Sequence, residues 1–161
     1  MVAIDFPDTP TVGQVFDKWT WNGTIWVLTD RAPRGLIGQT QVVTGQTFGT
    51  VRTDITGTDV TFTGVAGRWY RATVHCPEIT QVSGTGLIQL FVCRQGASRI
   101  IMNRCVANCG AGNFINLTAV AVYQITGADT VAGQISTSTG TCNTVGSANE
   151  RIITTVEDLG A

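Results

Sequence analysis

Along most of this chain hydrophobic and polar residues alternate one by one, the period of a strand with one face buried. The alternation is cleanest at Asn113–Ile125. There Ile115, Leu117, Ala119, Ala121, Tyr123 and Ile125 share a face, and Asn116, Thr118 and Gln124 lie opposite. Arg68–Cys76 repeats it, with Tyr70, Ala72, Val74 and Cys76 on one side and Arg71, Thr73 and His75 on the other. Asp59–Val65 supplies Val60, Phe62 and Val65, and Asp129–Ser138 supplies Val131, Gly133, Ile135 and Thr137. Gly86–Arg94 is a more continuous apolar run through Leu87, Ile88, Leu90, Phe91 and Val92, as in a centrally buried strand. Shorter strands are expected at Gln41–Val43 and Phe48–Val51. Two more follow at Arg99–Ala107, after a Gln95-Gly96-Ala97 turn, and at Arg151–Glu157, after a turn region over 139–148. No window carries a 3.6-residue apolar stripe. About eight or nine strands without a helix predict an all-β chain, an antiparallel jelly-roll-like β-sandwich.

The N-terminal part has a different pattern. Pro7 and Pro10 keep Asp5–Gly13 extended. Two aromatic-rich runs then flank Asn22-Gly23, a strong signal for a tight β-hairpin because both residues tolerate positive φ. An isolated ribbon is too small to bury Trp19, Trp21 and Trp26. These indoles, with Phe6 and Phe16, are the candidate partner-docking residues. Pro33, Gly35 and Gly38 punctuate the segment that follows. The expected organisation is therefore an anchoring hairpin over 1–30, a linker over 31–40 and a sandwich over 41–161. The outward positions of 113–125 include Val120 and Val122. A face that is neither core-like nor strongly charged suits burial against identical copies around a threefold axis.

Composition sharpens this picture. Charged residues make up 13 % of the chain and glycine contributes 19 residues, a balance that disfavours helices and suits strands with Thr, Gln and Ser on their solvent faces. The formal net charge is −1; no basic stripe points to nucleic acid, and near-neutrality favours association. No apolar run reaches the ~18–20 residues of a membrane span. The opening MVAIDFPDTP lacks the basic and apolar regions of a secretory signal, so folding in a cytoplasm is expected.

The chain offers few residues for chemistry. His75, the only histidine, sits beside Cys76 on a strand, so the two point to opposite faces and cannot share a proton. Glu78, Glu150 and Glu157 are the only glutamates, and no spacing pairs two carboxylates as glycoside hydrolysis needs. Gly84-Thr-Gly86 and Gly110-Ala-Gly112 read as turns, not phosphate loops. Neither catalysis nor a cofactor is expected. Cys76, Cys93, Cys105, Cys109 and Cys142 read first as buried free thiols. A disulfide involving Cys105, Cys109 or Cys142 is the second reading. Cys105 and Cys109 have permissible zinc spacing, but no second close pair accompanies them, and no metal site is expected. Trp69 and Tyr70 are candidates for stacking on sugars, against an ordinary reading as rim and core.

Three stretches carry a resemblance. FPDTPTVGQVF with WTWNGTIWVLTD (6–16 and 19–30), TDVTFTGVAGRWYRATVHCPEI (58–79) and RIITTVEDLGA (151–161) resemble segments of tailed-bacteriophage minor structural proteins, those of actinobacterial phages in particular. The similarity spans Ile4–Asp30 and about Asp59–Ala161. It implies a virion component assembled in the host cytoplasm, a homotrimer with no catalysis, bound to the major capsid protein or other virion subunits. Short length and the absence of a fibre shaft favour a capsid decoration or head fibre. A tail-fibre adhesin for host surface glycans is the alternative.

Overall fold

The computed structural model describes residues 7–16, 19–21, 23–28, 35–95, 99–147 and 149–160. They divide into two compact units, Met1–Arg34 and Gly35–Ala161. Among the described residues all the regular elements are strands, in antiparallel pairs throughout.

In the first unit, β1 (Val15–Phe16), β2 (Trp19–Trp21) and β3 (Trp26–Leu28) form a three-stranded meander. The expected two-residue Asn-Gly turn is corrected here. Trp21 pairs with Trp26, so four residues separate the strands. Gly23 supplies a positive φ of 100° within that loop; Asn22 lies outside the described residues. A loop of this length still reverses the chain.

The second unit contains β4 (Gly35–Val42), β5 (Gln46–Phe48), β6 (Thr53–Asp54), β7 (Val60–Gly64), β8 (Trp69–Ser83), β9 (Thr85–Arg94), β10 (Ile100–Gly110), β11 (Phe114–Gln124), β12 (Gly127–Thr137), β13 (Thr141–Thr144) and β14 (Ile152–Gly160). One sheet runs β4-β14-β8-β11, with β13 and β5 continuing beside the far half of β8. The other runs β7-β12-β9-β10, with β6 next to β7 along β12. Leaving out the short β5, β6 and β13, the orders are first-eighth-third-sixth and second-seventh-fourth-fifth. That is the strand order of a jelly roll, two Greek keys wound into a sandwich. The two sheets meet along a corner where β10 lies beside β11, and Asn103 Nδ2 donates to the Val120 carbonyl at 2.7 Å.

The core lies between the sheets. Tyr70, Ala72, Val74 and Cys76 of β8, Leu117, Ala119 and Ala121 of β11, and Ile152 and Val156 of β14 face Val60, Phe62, Ile88, Leu90, Val92, Val131 and Ile135. Each buried Val, Leu, Ile or Phe among them contributes about 1.5–3 kcal/mol. The alternation at Arg68–Cys76 and Asn113–Ile125 therefore lies as the pattern predicts. Gly133 continues the inward row of β12, where a Cβ would come within 2.8 Å of Val74; the sheets approach too closely there for any side chain.

Two expectations change. Gly35–Thr40 are not linker but the first residues of β4, paired with β14. Gly38 is a packing requirement, since a Cβ there would collide with Val60 on the facing sheet; residues 31–34 lie outside the described set. Strand β8 also continues past Pro77 to Ser83, beyond the expected end at Cys76. Pro77 and Glu78 oppose the single residue Asn116, a β-bulge. On its other side β8 passes there from β14 to β13. A proline, having no N–H to pair, fits that hand-over.

Candidate docking surfaces

The register of the first unit gathers its aromatic residues. Phe16 pairs with Trp19, Trp19 and Trp21 are two residues apart, and Trp21 pairs with Trp26. All four therefore occupy one face of the small sheet. The Phe16 and Trp26 rings meet edge-on with centroids 6.2 Å apart, and those of Trp21 and Trp26 at 5.7 Å and 55°. The three indoles are half-buried and Phe16 is 37 % exposed. Val12, Val15 and Ile25 are well exposed in the same unit. Phe6 lies outside the described residues. Four of the five candidate docking residues thus form one aromatic surface, held by backbone bonds from Gly13 N to Trp21 O and from Trp21 N to Gln14 O.

In the second unit the segments RWYR and VEDLG, far apart in the chain, lock together. Arg68 Nε donates to both carboxylate oxygens of Asp158, at 3.0 and 2.8 Å, with both side chains buried. Asp158 Oδ1 also accepts the N–H of Gly160, whose φ is 92°. Arg71 pairs with Glu157 on the adjoining strand. Tyr70 is core and its hydroxyl accepts the Val65 N–H at 2.7 Å, whereas Trp69 is 45 % exposed. This pair divides into rim and core, as its ordinary reading had it.

The outer faces of the two sheets differ. On β9 and β12, outward Phe91, Cys93, Ala132 and Gln134 are nevertheless buried. Arg52 lies over the Phe91 ring at 5.8 Å, and Arg99 spans Asp54 and Asp59. Cys93 Sγ meets Gln134 Oε1 at 3.1 Å, and the Gln134 amide donates to Asp54. This face is roofed by the chain's own arginines. On β8, β11 and β14, outward Trp69, Val120, Val122 and Leu159 are exposed, and Arg71–Glu157 is the ion pair among them. His75 also points outward, its Nδ1 2.8 Å from Thr118 Oγ1, while Cys76 points into the core.

All five cysteines are free. Burial pushes the Cys76 thiol up to about 12 and those of Cys93 and Cys142 up to about 11. Burial, then the negative charge of Asp129, raises the Tyr123 hydroxyl as well. Glu78 is raised by desolvation first and then by Glu150, whose carboxyl hydrogen-bonds it. A depression of about 340 Å³ lies between β5 and the end of β13, lined by Gln46, Thr47, Asn143 and Val145 among others. Among the described residues no group of three or more His, Cys, Asp or Glu side chains is placed to hold a metal ion.

No protein-family model matches the chain, and no curated protein matches it. Among solved structures, the chain is similar to the N-terminal endo-1,4-beta-D-xylanase 10B of Clostridium thermocellum, in its CBM22-1-GH10 modules complexed with xylohexaose. The identity is 13 %, the TM-score 0.36, and the match covers 76 % of this chain and 28 % of that one.

Proposed function

We propose that this chain is a structural subunit of a virion, a capsid-decorating or head-fibre protein that docks through its N-terminal unit and trimerises through the jelly roll. The observation that carries the reading is the aromatic face of the first unit. A sheet of three short strands cannot enclose four aromatic rings, and such a surface gains by lying against another protein. The division of the chain into two compact units fits an anchor and a body. The resemblance of both units' sequences to phage structural proteins supplies the partner: the major capsid protein or a neighbouring virion subunit. The role involves no catalytic step.

Trp26 touches both Phe16 and Trp21, so Trp26→Ala removes the centre of the aromatic surface. Occupancy of particles by the full chain should fall at least tenfold in a co-sedimentation assay. Undiminished occupancy would remove the aromatic face from the docking site.

One observation favours the alternative, a tail-tip adhesin for host surface glycans. Trp69 is an exposed indole on a strand face, and the register places Arg71, Glu157 and Gln124 close by. An aromatic plane with neighbouring donors and acceptors suits a sugar ring. Saturable binding of cell-wall polysaccharide, lost in Trp69→Ala, would establish that reading in place of the first.

A further inference from the structure

The aromatic face of the first unit is small, and its size limits what can sit on it. The strands beneath it are two and three residues long, so the sheet measures about 10 Å along the strands and about 10 Å across them. Val15 alternates with Phe16 and lies on the reverse side. Val12 and Ile25 mark one end of the sheet, at the β2–β3 loop, where a Cβ on Gly23 would come within 3.2 Å of Val12. Half of each indole and 37 % of Phe16, at about 150–250 Å² a ring, amount to roughly 300–450 Å². A stable contact between folded proteins takes about 800 Å² from each partner. The face therefore suits a short linear segment better than the side of a folded subunit.

Ring geometry narrows the choice. Trp26 stands at 60° to Phe16 and at 55° to Trp21, with centroids 6.2 and 5.7 Å apart. Tilted neighbours leave notches between them instead of one flat plate. A pyrrolidine ring is compact enough to enter such a notch and has no rotamers to lose. In a polyproline II helix the backbone is extended before it binds, so little freedom is given up for the small area gained. A strand added at the sheet edge would bond to backbone and leave the rings aside. The unit itself shows prolines turned to one side: Pro7 and Pro10 are half-buried, whereas Asp8 and Thr9 between them are exposed. That spacing matches the three-residue repeat of polyproline II.

We infer that the face of Phe16, Trp19, Trp21 and Trp26 is a recognition site for a proline-bearing segment in the polyproline II conformation, presented by the virion subunit on which the chain docks. This rests on the docking reading and names the chemistry of the partner at that site.

The test follows the indole N–H signals of the isotope-labelled full chain by NMR while hexaproline is added. Signals of Trp19, Trp21 and Trp26 should move together and saturate, and that of Trp69, in the second unit, should stay in place. Trp26→Ala should weaken binding at least tenfold, and Val15→Ser, on the reverse side, should leave it unchanged. Dispersion of the amide signals shows whether each variant folds. No saturable shift at millimolar hexaproline, or equal shifts of all the indoles, would overturn the inference. So would tighter binding of an amphipathic helical peptide of leucine and lysine to the same indoles. Binding that appears only in the Pro7→Ala, Pro10→Ala double variant would give the face to the chain's own segment, and would also overturn it. If Trp26→Ala loses the particles while hexaproline does not bind, this inference fails alone. If hexaproline saturates the three indoles and particles keep the chain in full, the docking reading fails and the site stands.

Discussion

Individual residues divide sharply here between those that hold the fold and those exposed on its surfaces. The thiols belong to the first group. Cys76, Cys93 and Cys142 are fully buried and their pKa values are raised by desolvation, so they act as small apolar side chains. Thiolate is the form that reacts. At pH 8 Ellman's reagent should therefore modify Cys105, the half-buried thiol, within minutes, and all five after unfolding. The pH dependence follows in sign. A thiol whose folded pKa exceeds its unfolded value of about 9 adds full stability below pH 9, and that contribution disappears as pH rises towards 11–12. The melting temperature should stay level from pH 7 to 8.5 and fall progressively between 9 and 11. A level melting temperature through pH 10.5 would mean that these groups are solvated. Sequence reading identified buried free thiols as the leading account, because an odd count without framework spacing argues against disulfides. It could not say which thiols lie deepest, since that depends on strand pairing.

Elements show where one-dimensional pattern succeeds and where it stops. Strands β7, β8, β9, β11 and β12 were legible because each buries at least one face over five or more residues, and burial writes a period of two into the chain. Strand β13 was not. Thr141–Thr144 carries one buried cysteine among polar residues and sits in a Gly- and Asn-rich stretch that resembles a loop. Its strand character comes from pairing with β8 and β5, which lie about sixty and ninety-five residues away. The start of β4 was hidden for a similar reason, with Gly38 serving a contact across the sandwich that no local signal announces. The ending VEDLG was read as a family mark; structurally it is the clasp that fixes β14 on β8. Asp158→Ala would leave Arg68 charged and buried without this carboxylate, and would strand the Gly160 N–H. The expected cost is about 3–5 kcal/mol, read from urea denaturation. A loss under 1 kcal/mol would show that water reaches Arg68 freely.

At the scale of the whole molecule, fold class followed from pattern and composition, and topology emerged only from the pairings. Nothing local distinguishes a first-eighth-third-sixth sheet from other antiparallel orders; the arrangement is set by contacts far apart in sequence. The same holds for the surfaces. That four aromatic residues share one face needed the register of β1–β3, and that one sandwich face is roofed while the other is open needed the placement of Arg52 and Arg99. Both fit the proposed roles of body and anchor. The core residues Phe48–Val156 all belong to the second unit, so residues 35–161 retain their own stabilising interior without the first. The most direct measurement is therefore occupancy on purified particles, comparing the full chain with 35–161 on a density gradient. The account predicts that the shortened chain stays soluble and folded at the top of the gradient while the full chain travels with the particles. Equal co-migration of both would contradict it.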